Sequence, residues 1–347
     1  MKTIVLTGIR NMELQDKPAP KVQDIHDVLL KIDAVGVCGS DMHYYTTGRI
    51  GDQIVKYPFT VGHECVATVH EVGSSVSNIK PGDRVAVEPA VSCGECDQCK
   101  HGRFHTCYHL QFLGCPGQLE GCLSEYIVMP EKNCFPIKAT MSLERSVLVE
   151  PVSIACYALR LAGNLTGKTV GILGTGPIGL SVLLSAHGLD TGKIYATDKI
   201  NSRLEFAKNL GASWTGNPDE VDIAQAVHDQ EQYLLDVVFE CCGQQEALDQ
   251  ALDILKPGGM LLIVGIPEVD RISFDISKIR RKEITVRNVR RQNECVEQAM
   301  QIVAEHPFPI EKMVTHAFTL EKTRDAFEIV AGYQDGVIKA MIQVNAD

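Results

Sequence analysis

The sequence predicts a two-domain α/β protein, in which a β-rich domain is joined to a doubly wound parallel sheet. Three observations point to it. Up to Glu150 the chain consists of short apolar runs broken by Gly, Pro and Asp, as in antiparallel β structure. From about residue 153 to residue 285, buried-strand and helix patterns alternate, the signature of a parallel sheet. The length of 347 residues suits two domains, at roughly 100–200 residues each.

In the first part, Asp27-Val28-Leu29-Leu30-Lys31-Ile32 and Arg84-Val85-Ala86-Val87 read as strands, with a turn at Lys80-Pro81-Gly82-Asp83. Such spacing suits a partly closed antiparallel barrel. Ser153 to Leu161 has helical spacing. Strand patterns then recur at Lys168–Leu173, Lys193–Asp198, Asp236–Glu240 and Met260–Val264, with helical runs between them. After residue 285 the pattern becomes irregular. The tail is therefore assigned back to the first domain, giving 1–152 with 286–347 for the β-rich domain and 153–285 for the parallel sheet.

Composition narrows the function classes. Hydrophobic residues make up 45% of the chain and charged residues 22%, which argues against broad disorder. A formal net charge of -11 makes nucleic acid a poor partner, because phosphate binding needs a basic face. The N-terminal apolar run is short for a signal peptide, and no apolar run reaches the ~18–20 residues of a membrane span. A cytoplasmic location is the expectation.

Gly174-Thr175-Gly176-Pro177-Ile178-Gly179 is a GxGxxG motif placed directly after a strand and before a helix, the context that makes it a dinucleotide site. The glycines let the backbone approach a pyrophosphate, and the helix start offers free N–H groups and a positive dipole end. Asp198 lies nineteen residues past Gly179, at the end of the next strand. A carboxylate there accepts hydrogen bonds from the adenosine ribose and repels a 2′-phosphate, favouring NAD over NADP. Lys199 weakens this slightly, and Arg203 is placed to lie over the adenine or near the ribose. Val264, at the end of the Met260–Val264 run, and Ile266, just past it, are further coenzyme-contact candidates.

Thirteen cysteines is an odd number, and four of them fall at Cys93-x-x-Cys96-x-x-Cys99 and Cys107. Short CxxC steps give the turns that tetrahedral zinc–sulfur geometry needs. A closed four-sulfur site leaves no open position, so the expected role of the 93–107 lobe is structural. A nucleic-acid zinc finger shares the spacing but lacks a basic recognition helix here.

A second set of donors comes from Gly36-Val37-Cys38-Gly39-Ser40-Asp41 and Gly62-His63-Glu64. A catalytic zinc takes three protein ligands and leaves one position open. Cys38 and His63 supply two. Glu64 and Glu150 compete for the third. Glu64 follows His63 directly and ligates only if the chain turns there; otherwise it supports the ligands. Glu150 is placed either to ligate or to hold a bound water. Such a zinc polarises an alcohol oxygen, and Ser40 and His43 form a plausible proton relay.

With these segments in view, the chain resembles the medium-chain zinc alcohol dehydrogenase superfamily over its full length. Within it, the chain is most similar to sorbitol (L-iditol) and related polyol dehydrogenases. Cys38-Gly39-Ser40-Asp41-Met42-His43-Tyr44-Tyr45, Gly48-Arg49-Ile50-Gly51-Asp52 and Val149-Glu150-Pro151-Val152-Ser153 carry that similarity. The resemblance implies a GroES-like catalytic domain, a Rossmann domain, and a catalytic zinc in the cleft between them. It implies Cys38, His63 and Glu64 as ligands, with Glu150 holding the bound water or exchanging with Glu64. It implies one catalytic and one structural zinc per subunit, NAD as coenzyme, and a homo-oligomer, dimer or tetramer. Tyr44 and Arg290 are the implied substrate contacts. The chain departs from the pattern at Arg291, where an aromatic residue is usual, and around Phe112-Leu113-Gly114-Cys115-Pro116. A cation at position 291 favours an acidic sugar, so a sugar acid stands beside a polyol as expected substrate.

Competing classes are a dehydrogenase of a threonine-type substrate, a zinc-free quinone reductase and a non-catalytic zinc-stabilised binding protein. The cysteine lobe and the Cys38/His63 pair speak against the second. The third leaves the relay and ligand set unexplained.

Overall fold

The computed structural model describes residues 1–345. The chain divides into two compact units, Met1–Glu150 with Val296–Asp347, and Pro151–Cys295.

The first unit is built on a seven-stranded sheet. At its centre the strand Asp27–Gly36 pairs antiparallel with Glu64–Val72, with Tyr126–Pro130 and with the C-terminal strand Lys339–Gln343. Asp27–Gly36 alternates Val28, Leu30 and Ile32 into the core, where they pack with Val69, Val85, Ile127 and Met129. Period-two patterning of this kind fixes the register, because a one-residue slip would turn every apolar side chain outward. The register brings Gly36 opposite Glu64 and Met341 opposite Gly36. The ends of three strands from distant parts of the sequence therefore meet at one place. A short helix, Gly39–Thr46, starts immediately beyond.

The second unit carries a six-stranded, all-parallel sheet. Its spatial order is Trp214–Gly216, Ile194–Thr197, Val170–Leu173, Leu235–Glu240, Leu255–Ile263, Thr285–Asn288. Numbered within the unit this is 3-2-1-4-5-6, the doubly wound arrangement, with the strand order reversing between Val170–Leu173 and Leu235–Glu240. Val170–Leu173 is buried throughout. The sixth strand, Thr285–Asn288, is mostly exposed. It presents no buried apolar run, which is why the sequence pattern turns irregular there although the sheet and its unit continue.

The glycine loop sits at the switch point. Gly174 has φ +91°, and a Cβ there would lie 2.8 Å from Cys242 Cβ, on the loop that follows the neighbouring strand. Gly179 packs so closely on the Gly174 carbonyl that a Cβ cannot be accommodated without movement. Gly179→Ala should therefore destabilise the protein by about 1–3 kcal/mol, the usual scale for overpacking. Thermal unfolding checks this, and an unchanged Tm would show that the loop relaxes freely.

Candidate metal centres and coenzyme site

The mixed donor set is assembled by the helix Gly39–Thr46 and the turn at Gly62. Asp41 is the third residue of that helix and is buried. Its carboxylate accepts from the Cys38 backbone N–H (3.1 Å) and from the Gly62 N–H (3.2 Å), and it lies 3.5 Å from His63 Nδ1. One side chain thus fixes both segments and orients the imidazole. Gly62 has φ +99°, so the chain turns before His63, and the strand begins only at Glu64. That turn lets neighbouring residues face one point. The Cys38 sulfur, a His63 ring nitrogen and a Glu64 carboxylate oxygen all lie within 4.8 Å of one another. Glu150 is not part of this group, although its carboxyl interacts electrostatically with His63 and Glu64.

The charges of the site reflect its burial. Burial and the nearby Glu64 push the Cys38 thiol up. Burial opposes a charge on His63, but Asp41 and Cys38 outweigh it and hold the imidazole well above its ordinary range. Burial raises Glu150 to about 8. A soft sulfur, an imidazole and a carboxylate converging in a buried place fit a zinc ion with three protein ligands.

Ser40 Oγ stands 3.3 Å from Cys38 Sγ and 3.5 Å from His63 Nε2. His43 and Tyr44 follow at i+3 and i+4 on the same helix, and so on the same side as Ser40. The Tyr44 hydroxyl donates to Gln53 Oε1 (3.2 Å) and lies 3.8 Å from Cys115 Sγ. Phe112 packs its ring 5.3 Å from that of His63. The Phe112–Cys115 loop, noted in the sequence as a departure, therefore borders the donor set.

Sequence reasoning missed two residues here. Asp41 was legible only as part of the Cys38–Asp41 segment; its position at the third residue of a helix was the available signal. Lys339 gave none. Its ammonium group bonds Glu64 Oε2 and donates to the Val37 carbonyl at 3.2 Å, fully buried.

In the lobe, the sulfur–sulfur distances are 3.4 Å for Cys93–Cys107, 3.6 Å for Cys96–Cys99, 3.8 Å for Cys96–Cys107 and 4.0 Å for Cys93–Cys99. Four sulfurs at about 2.3 Å from a tetrahedral zinc stand about 3.8 Å apart, so the four thiols already have the spacing of a loaded site. Gly94 and Gly102 take φ +77° and +70° in the turns between them. Backbone hydrogen bonding from Cys99 outweighs burial and draws the Cys96 thiol down to about 6, readying it to ligate as thiolate.

In the second unit, Gly176 caps the helix Pro177–Ala186, with Pro177 at its first position. Gly176, Pro177 and Ile178 are partly exposed at the helix start. Asp198 accepts from the Thr175 N–H (2.7 Å) and the Ile200 N–H (2.9 Å). It clamps the glycine loop from just beyond the end of the strand Ile194–Thr197. Arg203 is buried, 3.4 Å from where a Gly176 Cβ would be. Lys199 faces Asp219 at 3.5 Å, not Asp198. Val264 donates its N–H to the Glu240 carbonyl at 2.8 Å, and Ile266 is exposed two residues on. Arg290 is exposed beyond the last strand, and Arg291 is half-buried with φ +53°.

The alcohol dehydrogenase GroES-like domain matches residues 24–139, and the zinc-binding dehydrogenase domain matches residues 177–305. Sorbitol dehydrogenase of Bacillus subtilis is 37% identical over 347 residues, covering 99% of this chain and 98% of its own. This chain belongs to the zinc-binding alcohol dehydrogenase family. The D-xylulose reductase A of Aspergillus oryzae is 32% identical, with 95% of this chain and 94% of that one covered. An Escherichia coli oxidoreductase/dehydrogenase of unknown specificity superposes with a TM-score of 0.92 at 30% identity, covering 99% of each chain. The dehydrogenase thus has the α/β fold of its family, a GroES-like unit and a Rossmann unit.

Two separate donor sets predict two zinc ions per chain of this dehydrogenase. Cys38→Ala should lower the content to one and abolish turnover while leaving the fold intact; elemental analysis and activity check it. Cys96→Ser removes a ligand from a closed site whose binding energy contributes to folding. It should lower the Tm before it alters the chemistry, and unchanged stability with unchanged zinc content would overturn a structural role for the lobe.

Proposed function

We propose that the protein is an NAD-linked zinc dehydrogenase that oxidises a secondary alcohol of a polyol to a ketose. The observation that carries this is the convergence of Cys38, His63 and Glu64, with Ser40 beside them, in a chain that also holds a GxGxxG loop followed by Asp198. Relatives named sorbitol dehydrogenase and D-xylulose reductase support the polyol as substrate class. When bound, zinc on Cys38, His63 and Glu64 supplies Lewis-acid polarisation of the alcohol oxygen, and NAD accepts the hydride.

The chain's own residues handle the proton and the orientation. Ser40, whose hydroxyl touches two of the proposed ligands, takes the alcohol proton and passes it towards His43 on the same helix side. Asp41 keeps the His63 ring oriented through Nδ1, leaving Nε2 for the metal. Glu150, whose carboxyl burial raises to about 8, holds a water at the site in this reading. Tyr44, already bonded to Gln53, meets the substrate's further hydroxyls, and Arg290 is the second proposed substrate contact. A small-molecule substrate, no nucleic acid, a homo-oligomer and a cytoplasmic location belong to this reading. A net charge of -11 supports the second. The exposed Ile266, Val269 and Ile276 support pairing of copies, and a cluster of cysteines suited to metal supports a reducing compartment. No helix among the described residues is long and apolar enough to cross a membrane.

Mixing enzyme, NAD and a panel of polyols and following NADH absorbance tests the proposal; no turnover of any polyol would overturn it. A sugar acid is the second reading, favoured by Arg291. If Arg291 selects a carboxylate, Arg291→Tyr should weaken use of acidic sugars and spare neutral polyols, and an unchanged profile would remove that reading.

Asp198→Ala tests coenzyme choice. A charged hydrogen bond is worth ~1.5–3 kcal/mol, so NAD efficiency should fall roughly ten- to a hundredfold. Because Asp198 also clamps Thr175, a KM rise accompanied by a lower Tm is expected. NADP use should improve through Arg203, since Lys199 is engaged elsewhere. Steady-state kinetics with both coenzymes decide it, and a mutant that keeps its NAD preference would count against Asp198.

A further inference from the structure

Lys339 is the one buried lysine among the described residues. It opens the C-terminal strand Lys339–Gln343, 275 positions from the carboxylate it bonds. Its Nζ reaches Glu64 Oε2 and, at 3.2 Å, the Val37 carbonyl. The next residue, Ala340, accepts from the Val37 N–H at 2.9 Å. Val37 immediately precedes Cys38. Two adjacent residues of the last strand therefore grip the Cys38 segment by its backbone and Glu64 by its charge. The groups that act on the ammonium are Glu64, Cys38 and Glu150, the first two of them members of the donor set.

A buried carboxylate without a cation is costly, so an ammonium in this place holds Glu64 and Cys38 together before any metal binds. A divalent ion held by Cys38, His63 and Glu64 would repel that ammonium through a medium of low dielectric. The two effects have one thermodynamic consequence: whatever Lys339 contributes to the metal-free protein is partly lost on loading. By linkage, that difference is a reduction in metal affinity.

We propose that Lys339 is a positioning residue that stands in for part of the metal's charge, organising Cys38 and Glu64 in the metal-free protein and weakening metal binding at the site that they share with His63. The proposal rests on the reading that these three residues hold a metal. Protein stripped by a chelator is titrated with Co²⁺, whose visible absorption separates a one-sulfur mixed site from the four-sulfur lobe. Lys339→Met, close in shape and uncharged, should bind Co²⁺ at the mixed site roughly tenfold or more tightly than the natural protein, and its metal-free form should unfold at a lower temperature. Lys339→Arg keeps the charge and should titrate like the natural protein. Equal or weaker mixed-site binding by Lys339→Met overturns the proposal, as does Lys339→Arg behaving like Lys339→Met. If metal-free Lys339→Met does not fold, the same sign is read from the loaded protein as slower loss of mixed-site Co²⁺ to a chelator, and loss as fast or faster overturns it. Absence of a mixed-site spectrum in the natural protein would instead overturn the metal reading itself.

Discussion

The site depends on one buried carboxylate. Asp41 gathers the Cys38 and Gly62 backbone N–H groups and borders His63 Nδ1, so residues from a helix start and from a strand start are held at one spacing. Each N–H left without a partner in this interior would cost about 1–3 kcal/mol. The surrounding structure is consistent with that constraint. Gly62 turns at positive φ to bring its N–H inward, and Gly36 leaves room for Glu64. Among the described residues the donors thus have a frame of their own, independent of any bound ion.

The same device recurs in the coenzyme unit. Asp198 accepts the Thr175 and Ile200 amides, and Glu240 accepts the amides of Cys242 (2.7 Å) and Gly243 (2.5 Å). Glu240 ends its parallel strand and Asp198 immediately follows another, and both tie down a loop beyond the C-terminal end of the sheet. Loops that must expose backbone N–H groups to a pyrophosphate cannot satisfy themselves by ordinary pairing. Carboxylates from the strand ends hold them in shape instead.

Much of this was legible in the sequence where the signal is local. The lobe's four cysteines lie within one short segment, so their convergence could be read from spacing. The parallel strands betrayed themselves as continuous apolar runs, and the glycine motif lay between a strand and a helix. The exposed strand Thr285–Asn288 carries no such run, and its place in the sheet depends on pairing with Leu255–Ile263. The competition between Glu64 and Glu150 could not be decided from adjacency alone. What brings Glu64 to Cys38 and His63 is the backbone at Gly62, which breaks the alternation that would have aimed His63 and Glu64 apart. Lys339 stayed hidden because nothing near it in sequence marks a lysine in an apolar strand as a partner for a carboxylate so far upstream.

The C-terminal strand has a consequence for how the molecule comes into being. Residues 93–107 carry a complete set of donors within one short stretch of chain. The Cys38 and Glu64 segments lie upstream of it, yet the strand residue that grips them stands 275 positions beyond Glu64. The lobe can therefore gather its donors locally, whereas the mixed centre is braced only once distant parts of the chain have folded together.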